Sequence, residues 1–401
     1  MPMFVRKLLH ALIQKLIKIV VTFSPGARHT AFAGEGSARQ LCEHVLRTGV
    51  KRVLVVTDKP LRELGVVAKA VAALEESEID VAYYDGVLPD PTYDQVTEGA
   101  ALAKSHGSEA IIAIGGGSSM DAAKVIAVAA TNAEAPQDWV GHNKYKHTPL
   151  KIYAVPTTSG TGSEATMGAV ISDPVTHGKS IVTGSALLPA AVAIDPQLLV
   201  GLPQHITAAT GMDALTHGIE AYIGTWDRGT RKEDASIAVK LIFDNLRQAC
   251  RDGSDLSARS GMAMGAYYAG LAINQVNVGN VHAIAHQLGG KYGIPHGLAN
   301  SLVLPHILEF CCEDAQAELA ELALLIGVGS EGESASALAQ KFIQAVKELK
   351  ADVGIPDRSE LIKREDFEQL ANQALAEGIA YPSPRLLDKA SALAILGHIA
   401  G

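Results

Sequence analysis

An α/β dinucleotide-binding domain with a parallel, doubly wound sheet, followed by an all-α domain, is the fold class this sequence predicts. Two observations predict it. Up to about residue 203, short apolar runs alternate with helical stretches, the pattern of βαβ units. After Pro203 the texture changes to long, Ala-rich segments of helical period, with no convincing strand. Size and composition agree. A chain of 401 residues is long enough for two cores, and an apolar content of 48% argues against global disorder. The expected division is an amphipathic extension over residues 1–27, the α/β domain over 28–203 and the helical domain over 204–401.

The elements follow in order. "VRKLLHALIQKLIKIVV" is interrupted too often by charge for a signal-peptide core or a spanning helix. At helical spacing Leu9, Leu12, Ile13, Leu16 and Val20 share one face, and Lys7, Gln14 and Lys18 the other. This helix is expected to pack on the protein or on a subunit neighbour. Peripheral contact of residues 1–24 with a membrane surface is the rival reading. "KRVLVVTD" (51–58), "IDVAYYDG" (79–86), "AIIAIGGG" (110–117) and "KIYAVPTT" (151–158) read as strands, with helical patterns at 61–75 and 92–106 between them. Beyond Pro203, "HITAATGMDALTHGIEAY", "DASIAVKLIFDNLRQAC", "SARSGMAMGAYYAGLAIN" and "NVHAIAHQLGG" read as helices. Ligands of open α/β sheets bind beyond the carboxyl ends of the strands, so those loops are where chemistry is sought.

Two such loops carry phosphate chemistry. Gly115, Gly116 and Gly117 follow a strand and open a helix near Ser118, so free backbone N–H groups and the helix dipole favour an anion there. The pattern is not G-x-G-x-x-G, which excludes an ordinary Rossmann fingerprint. "PTTSGTGSE" (156–164) supplies Thr157, Thr158, Ser159 and Thr161 hydroxyls between glycines. Asp58 closes the first of these strands. It reads either as a turn former before "KP" or as an acceptor for ribose hydroxyls, and in the second role it prefers NAD to NADP.

The second half carries a metal pattern. Asp213 and His217 stand one turn apart on one helix, His282 and His286 one turn apart on another, and His296 follows a glycine turn. One carboxylate with imidazoles suits Fe(II), Zn, Mn or Co rather than Ca or Mg. Spacing does not decide which of His282 and His286 is the ligand; the other would line the same pocket, placed to relay a proton. The net charge of −9 argues against nucleic acid as a partner, and four cysteines without paired spacing suit a reducing, cytoplasmic compartment.

Taken in order, "VVTDKPL", "GGGSSMDAAK", "PTTSGTGSE", "LLPAAVAIDP", "LPQHITAATGMDALTHGIEAY", "HAIAHQLGGKYGIPHGLANSLVLPH" and "YPSPR" resemble the iron-containing, or group III, alcohol dehydrogenase family from about residue 28 onward. The resemblance implies a metal in the cleft between an N-terminal α/β and a C-terminal helical domain, an architecture shared with dehydroquinate synthase. It implies hydride transfer between a primary, aliphatic alcohol and NAD, reversible to reduction of the aldehyde. The metal ligands it implies are Asp213, His217, His282 and His296, with Fe(II) expected ahead of Zn. His286 is then the non-ligand histidine beside the nicotinamide. The pyrophosphate falls on Gly115, Gly116, Gly117 and Ser118, the adenosine ribose near Asp58, and Thr157, Thr158, Lys179 and Asp121 near the cofactor. A homodimer is the implied assembly.

There are departures. Asp90-Pro91 replaces the family's frequent Asn-Pro, and Gly168 stands where many relatives carry a bulkier side chain, which implies a roomier pocket. Two rival functions remain. One is a dehydroquinate synthase-like lyase that recycles its own NAD, for which residues 205–300 offer few basic groups besides Lys240, Lys291 and scattered arginines. The other is a catalytically silent NAD-binding or membrane-associated protein.

Overall fold

The computed structural model describes residues 5–6, 8–15, 29–175 and 178–401. They form two compact units: Ala27–Leu202 with Gly253–Gly270, and Met1–Gly26 with Pro203–Asp252 and Leu271–Gly401.

The first unit is a wound sheet. Its elements are β1 (Thr30–Ala33), α2 (Ser37–Arg47), β2 (Arg52–Val56), α3 (Lys59–Glu63), α4 (Val66–Glu75), β3 (Asp80–Tyr84), α5 (Tyr93–His106), β4 (Ala110–Gly115), α6 (Gly117–Thr131), β6 (Lys151–Pro156) and β9 (Ala191–Ile194), with α1, β5, β7 and β8 given below. The six strands run parallel in the order β1-β9-β6-β4-β2-β3. All six residues of β4 are buried, because helices cover both faces of a parallel sheet and leave no polar side. Leu41, Val45, Val71 and Leu74 of the helices close over Val53, Val55, Ile112 and Ile114 on one face. Each such side chain contributes about 1.5–3 kcal/mol.

The chain leaves β2 for β3 on one side and returns with β4 on the other. The crevice between the β2 and β4 loops is thus a topological switch point, where ligands of such sheets bind.

The four strands expected from the apolar runs are β2, β3, β4 and β6. The helix expected over 61–75 is instead two helices, broken at Gly65, whose φ of +74° ends one and caps the next. A small three-stranded sheet of β5 (Gly141–His142), β7 (Gly168–Ser172) and β8 (Lys179–Thr183) was not anticipated. Segment Gly253–Gly270 belongs here because Gly270 meets Gly162 backbone to backbone. A Cβ on Gly270 would lie 2.4 Å from the Gly162 carbonyl oxygen.

The second unit is built around α7 (Gln204–Ile223), every residue of which is buried from Gly211 to Ile223. A helix covered all round is a central one. Around it stand α8 (Arg231–Arg251), the end of α9 (Leu256–Val276), α10 (Asn280–Tyr292), α11 (His296–Cys311), α12 (Gln316–Ile326), α13 (Ala335–Asp352), α14 (Phe367–Gly378) and α15 (Lys389–Ile399). No strand is found after residue 203 among the described residues.

The N-terminal helix, α1, is described at residues 5–6 and 8–15. It packs on the protein, but through the opposite face to the one its periodicity suggests. Arg6 donates to the carbonyls of Leu387 and Leu375, both at 3.1 Å, His10 Nδ1 lies 2.8 Å from the carbonyl of Ile379, and Gln14 donates to that of Tyr381. The Trp226 indole N–H donates to Gln14 Oε1. Carbonyls in the last turn of α14 (Phe367–Gly378) and in the chain beyond it recruited the polar side of α1, and Leu8, Leu9 and Leu12 face outward. Lys7, Leu16, Lys18 and Val20 lie outside the described residues.

Candidate metal centre and cofactor loops

Four donor atoms converge in the helical unit. One ligand atom each from Asp213, His217, His282 and His296 lies within 4.8 Å of the others. Asp213 and His217 come from one face of α7, His282 from the first turn of α10, and His296 from the first residue of α11. Gly297 allows α11 to reach α7, since a Cβ there would sit 2.4 Å from the Ala209 carbonyl oxygen. His217 and His282 stack at 4.8 Å with their Nε2 atoms 3.0 Å apart, and His296 Nε2 is 3.5 Å from Asp213 Oδ1.

The state of the donors suits a cation. Burial pushes the His282 imidazole well below its ordinary pKa and His296 down to about 3, so both are neutral near pH 7. Burial pushes Asp213 up, but the neighbouring His217, His296 and His282 and the Asn300 amide outweigh it and hold it below the ordinary value. A carboxylate facing neutral imidazole lone pairs is a set that a divalent metal fits.

Two residues that the sequence reading did not single out complete the site. Glu220, on α7 three residues after His217, accepts from the Gly279 and Val281 N–H groups at 2.8 and 2.7 Å and from His282 Nδ1 at 2.6 Å. That bond leaves the His282 Nε2 lone pair free to ligate. Asn300, one turn after His296, places its amide nitrogen 2.6 Å from Asp213 Oδ1 and 3.1 Å from the Nε2 atoms of His282 and His296. The signal for Glu220 was in the sequence, as a carboxylate at i+3 from a histidine; nothing local marked Asn300. Glu220→Gln is expected to weaken metal binding about 10- to 100-fold. Competition with a colorimetric chelator measures it, and unchanged affinity would show that Glu220 is not needed to orient His282.

His286 stands apart from this group. It stacks on His296 at 5.4 Å, and its Nδ1 lies 2.5 Å from Glu377 Oε1. Glu377 also accepts from the Tyr381 hydroxyl and the Gln287 amide. Neither Glu377 nor Tyr381 was anticipated. Glu377 ends α14 and Tyr381 lies just beyond it, and a spacing of four residues there carried no signal.

The α/β unit brings the two glycine-bearing loops together. Gly115 pairs with Pro156, and Thr157 donates its N–H to the Gly115 carbonyl at 2.9 Å. Gly115 has φ +153°, and a Cβ on it would lie 2.3 Å from Ser119 Oγ. A Cβ on Gly117 would lie 2.6 Å from Thr161 Cγ2, and one on Gly116 3.2 Å from Thr158 Cγ2. Helix α6 starts at Gly117 with no side-chain cap and no acid in its first turn, which leaves its first N–H groups, Ser118 included, for an anion. Thr157 is buried, and Ser159 Oγ is buried without a partner among the described residues.

Three other expected cofactor residues have structural work. Asp58 caps α3, with Oδ1 accepting from the Leu61 N–H at 2.9 Å, so the turn-forming reading is realised and one oxygen is committed. Asp121 accepts from Ser163 Oγ at 2.6 Å and from the Val170 N–H at 2.9 Å, with Lys124 Nζ 4.0 Å away. Lys179 pairs with Asp90 at 2.7 Å.

A sheet with paired phosphate-type loops and a helical unit with an Asp-His₃ cluster define a class: metal-dependent dehydrogenases with a nucleotide cofactor. The comparisons with known proteins carry this further. The family model for iron-containing alcohol dehydrogenase matches residues 29–196, and that for the Fe-containing alcohol dehydrogenase C-terminal region matches 207–400. Alcohol dehydrogenase 4 of Saccharomyces cerevisiae is 37% identical over 370 residues, which cover 91% of this chain and 95% of that protein. The NAD-dependent methanol dehydrogenase of Bacillus methanolicus is 36% identical, over 88% of this chain and 93% of its own. The crystal structure of a 1,3-propanediol oxidoreductase superposes with a TM-score of 0.90 at 38% identity, covering 94% of this chain and 99% of that one. The chain belongs to the iron-containing alcohol dehydrogenase family. It is a metal- and NAD-dependent oxidoreductase acting on alcohols and their carbonyl partners.

Proposed function

We propose that this enzyme interconverts primary aliphatic alcohols and aldehydes with NAD, using one divalent metal, Fe(II) ahead of Zn, held by Asp213, His217, His282 and His296. The observation that carries the reading is the convergence of these four donors around neutral imidazoles, with Glu220 fixing His282. When bound, the metal supplies Lewis acidity toward the alcohol oxygen and NAD supplies the hydride acceptor.

The chain's own groups do the rest. The α6 N-terminus, with Gly115, Gly116, Gly117 and Ser118, takes the pyrophosphate, and Thr157 and Thr158 donate to the cofactor. Asp58 keeps its second oxygen for the ribose, and Asp121 and Lys179 hold the loops around it. His286 gives its Nδ1–H to Glu377 and keeps an Nε2 lone pair, and its role is to take up the alcohol proton. Among the described residues no helix is long and apolar enough to cross a membrane. A cytoplasmic homodimer completes the proposal, and the four buried cysteines, none in a disulfide, suit it.

The test is nicotinamide absorbance on anaerobically prepared, Fe(II)-loaded protein. Primary alcohols and aldehydes of increasing length are offered with NAD or NADP, with and without chelator. Chelator-sensitive turnover preferring NAD is expected. No turnover with any substrate, in protein that holds metal and cofactor, would turn the reading toward a lyase.

Gly168 gives a second check. A Cβ there meets only Thr183 Cγ2, at 3.9 Å, so the position has room. Gly168→Phe is expected to lower kcat/KM for long alcohols at least tenfold more than for short ones, about the worth of one lost methylene contact. Equal losses across the length series would remove Gly168 from the substrate pocket.

A further inference from the structure

Helix α1 is amphipathic in the inverted sense. Its polar side chains at i, i+4 and i+8, namely Arg6, His10 and Gln14, are spent on carbonyls of residues 375–387. Its apolar stripe at i, i+3, i+4 and i+7, namely Val5, Leu8, Leu9 and Leu12, is 43, 64, 38 and 55% exposed. Soluble proteins bury such stripes, and an apolar face that is held outward marks an interaction surface. The hydrogen bonds fix the orientation, so α1 cannot roll over to hide its leucines without freeing four buried or part-buried contacts.

Charge bears on the occupant. Residues 1–34 contain five Lys and Arg (Arg6, Lys7, Lys15, Lys18 and Arg28) and no Asp or Glu, in a chain of net charge −9. A basic, acid-free segment carrying an outward apolar stripe complements an anionic, apolar-cored surface. A second copy of this acidic chain would answer the charge as well, so mass by light scattering is read beside vesicle binding. The family match begins at residue 29, so the segment lies outside the part that defines the enzyme.

We infer that α1 docks the enzyme on anionic phospholipid surfaces, with Val5, Leu8, Leu9 and Leu12 entering the headgroup boundary and the exposed Lys15, two turns from Leu8, meeting the lipid phosphates. The leucines supply the apolar contribution, and each basic residue near the surface contributes roughly fivefold in affinity at low salt. The helix lies on the bilayer rather than crossing it.

The experiment is vesicle co-sedimentation of the full chain. Vesicles of phosphatidylcholine alone are compared with phosphatidylcholine mixed with phosphatidylglycerol, at low and high salt. The double variant Leu8→Glu/Leu12→Glu is run in parallel, with its melting temperature and its mass by light scattering. Both side chains are more than half exposed, so the variant is expected to fold and to keep its turnover of soluble alcohols. The wild type should sediment with the anionic vesicles at least tenfold more than with neutral ones and be released by salt, and the variant should stay in solution. A wild type that remains in the supernatant, or a variant that binds equally well, overturns the inference. So does a variant whose only change is a drop in mass, which would make the stripe a contact between copies of this chain.

Discussion

His217→Ala and Asp213→Asn are expected to lose metal and turnover together. Each removes one of four converging donors, and the remainder cannot hold a divalent cation tightly. Losing Lewis-acid stabilisation worth several kcal/mol lowers kcat by at least roughly 10³-fold. Metal per chain after gel filtration, read beside nicotinamide absorbance, measures both quantities on one sample. Full activity in a metal-free variant would refute the proposed chemistry. Because Asp213 meets the Asn300 amide and His217 does not, the variants are expected to differ structurally in the absence of metal. His217→Ala removes a buried imidazole that stacks on His282, so in the metal-free protein its cost is lost packing. Asp213→Asn keeps the packing and disturbs a carboxylate bonded to Asn300.

Lys124→Met is the second large effect, and it acts on the fold. The Lys124 ammonium is fully buried and donates to the carbonyls of Ser163 and Gly168 at 2.7 and 2.6 Å and to the hydroxyls of Ser163 and Thr166. It ties the loop after "PTTSGTGSE" to α6. Removing it strands two carbonyls and leaves Asp121 without its cation, a loss of about 3–5 kcal/mol for a broken buried pair. Denaturant unfolding measures it, and a change below about 1 kcal/mol would make Lys124 a spectator.

The same group predicts a pH dependence. Burial pushes Lys124 from its ordinary 10.5 down to about 8, against the pull of Asp121 and Glu164. Between those values the unfolded chain holds a proton that the folded protein has given up, so this residue makes the wild type gain stability as pH rises from 8 to 10.5. The gap between wild type and Lys124→Met should widen over that window. A gap that narrows would show that the charged form is the favoured one.

The sequence made some of this legible and hid the rest for identifiable reasons. Strands β2, β3, β4 and β6 announce themselves as apolar runs because parallel strands are buried on both faces. Strands β1 and β9 are four residues each, too short for periodicity, and β9 entered the reading only through the resemblance. The β7–β8 hairpin mixes buried and half-buried residues and shows no clean alternation. The Asp213, His217 and His282, His286 pairs were visible because helical spacing puts i and i+4 on one face. Which histidine of the second pair converges with Asp213 depends on how α10 meets α7, and that is a tertiary fact. Helix α1 shows the limit most plainly. Periodicity reveals that an apolar stripe exists, but the acceptors that claimed its other face are backbone carbonyls 367 to 369 residues downstream, which no sequence pattern reports.

That last separation sets an order of events during synthesis. The carbonyls that hold α1 belong to residues 375–387, so a ribosome working at roughly 5–20 residues per second finishes them tens of seconds after α1 has emerged. Throughout that interval both faces of the helix are free. A segment that leaves the tunnel well ahead of its acceptors is among the last to be tethered, so a nascent chain has α1 available to chaperones or lipid before the enzyme it will belong to is complete.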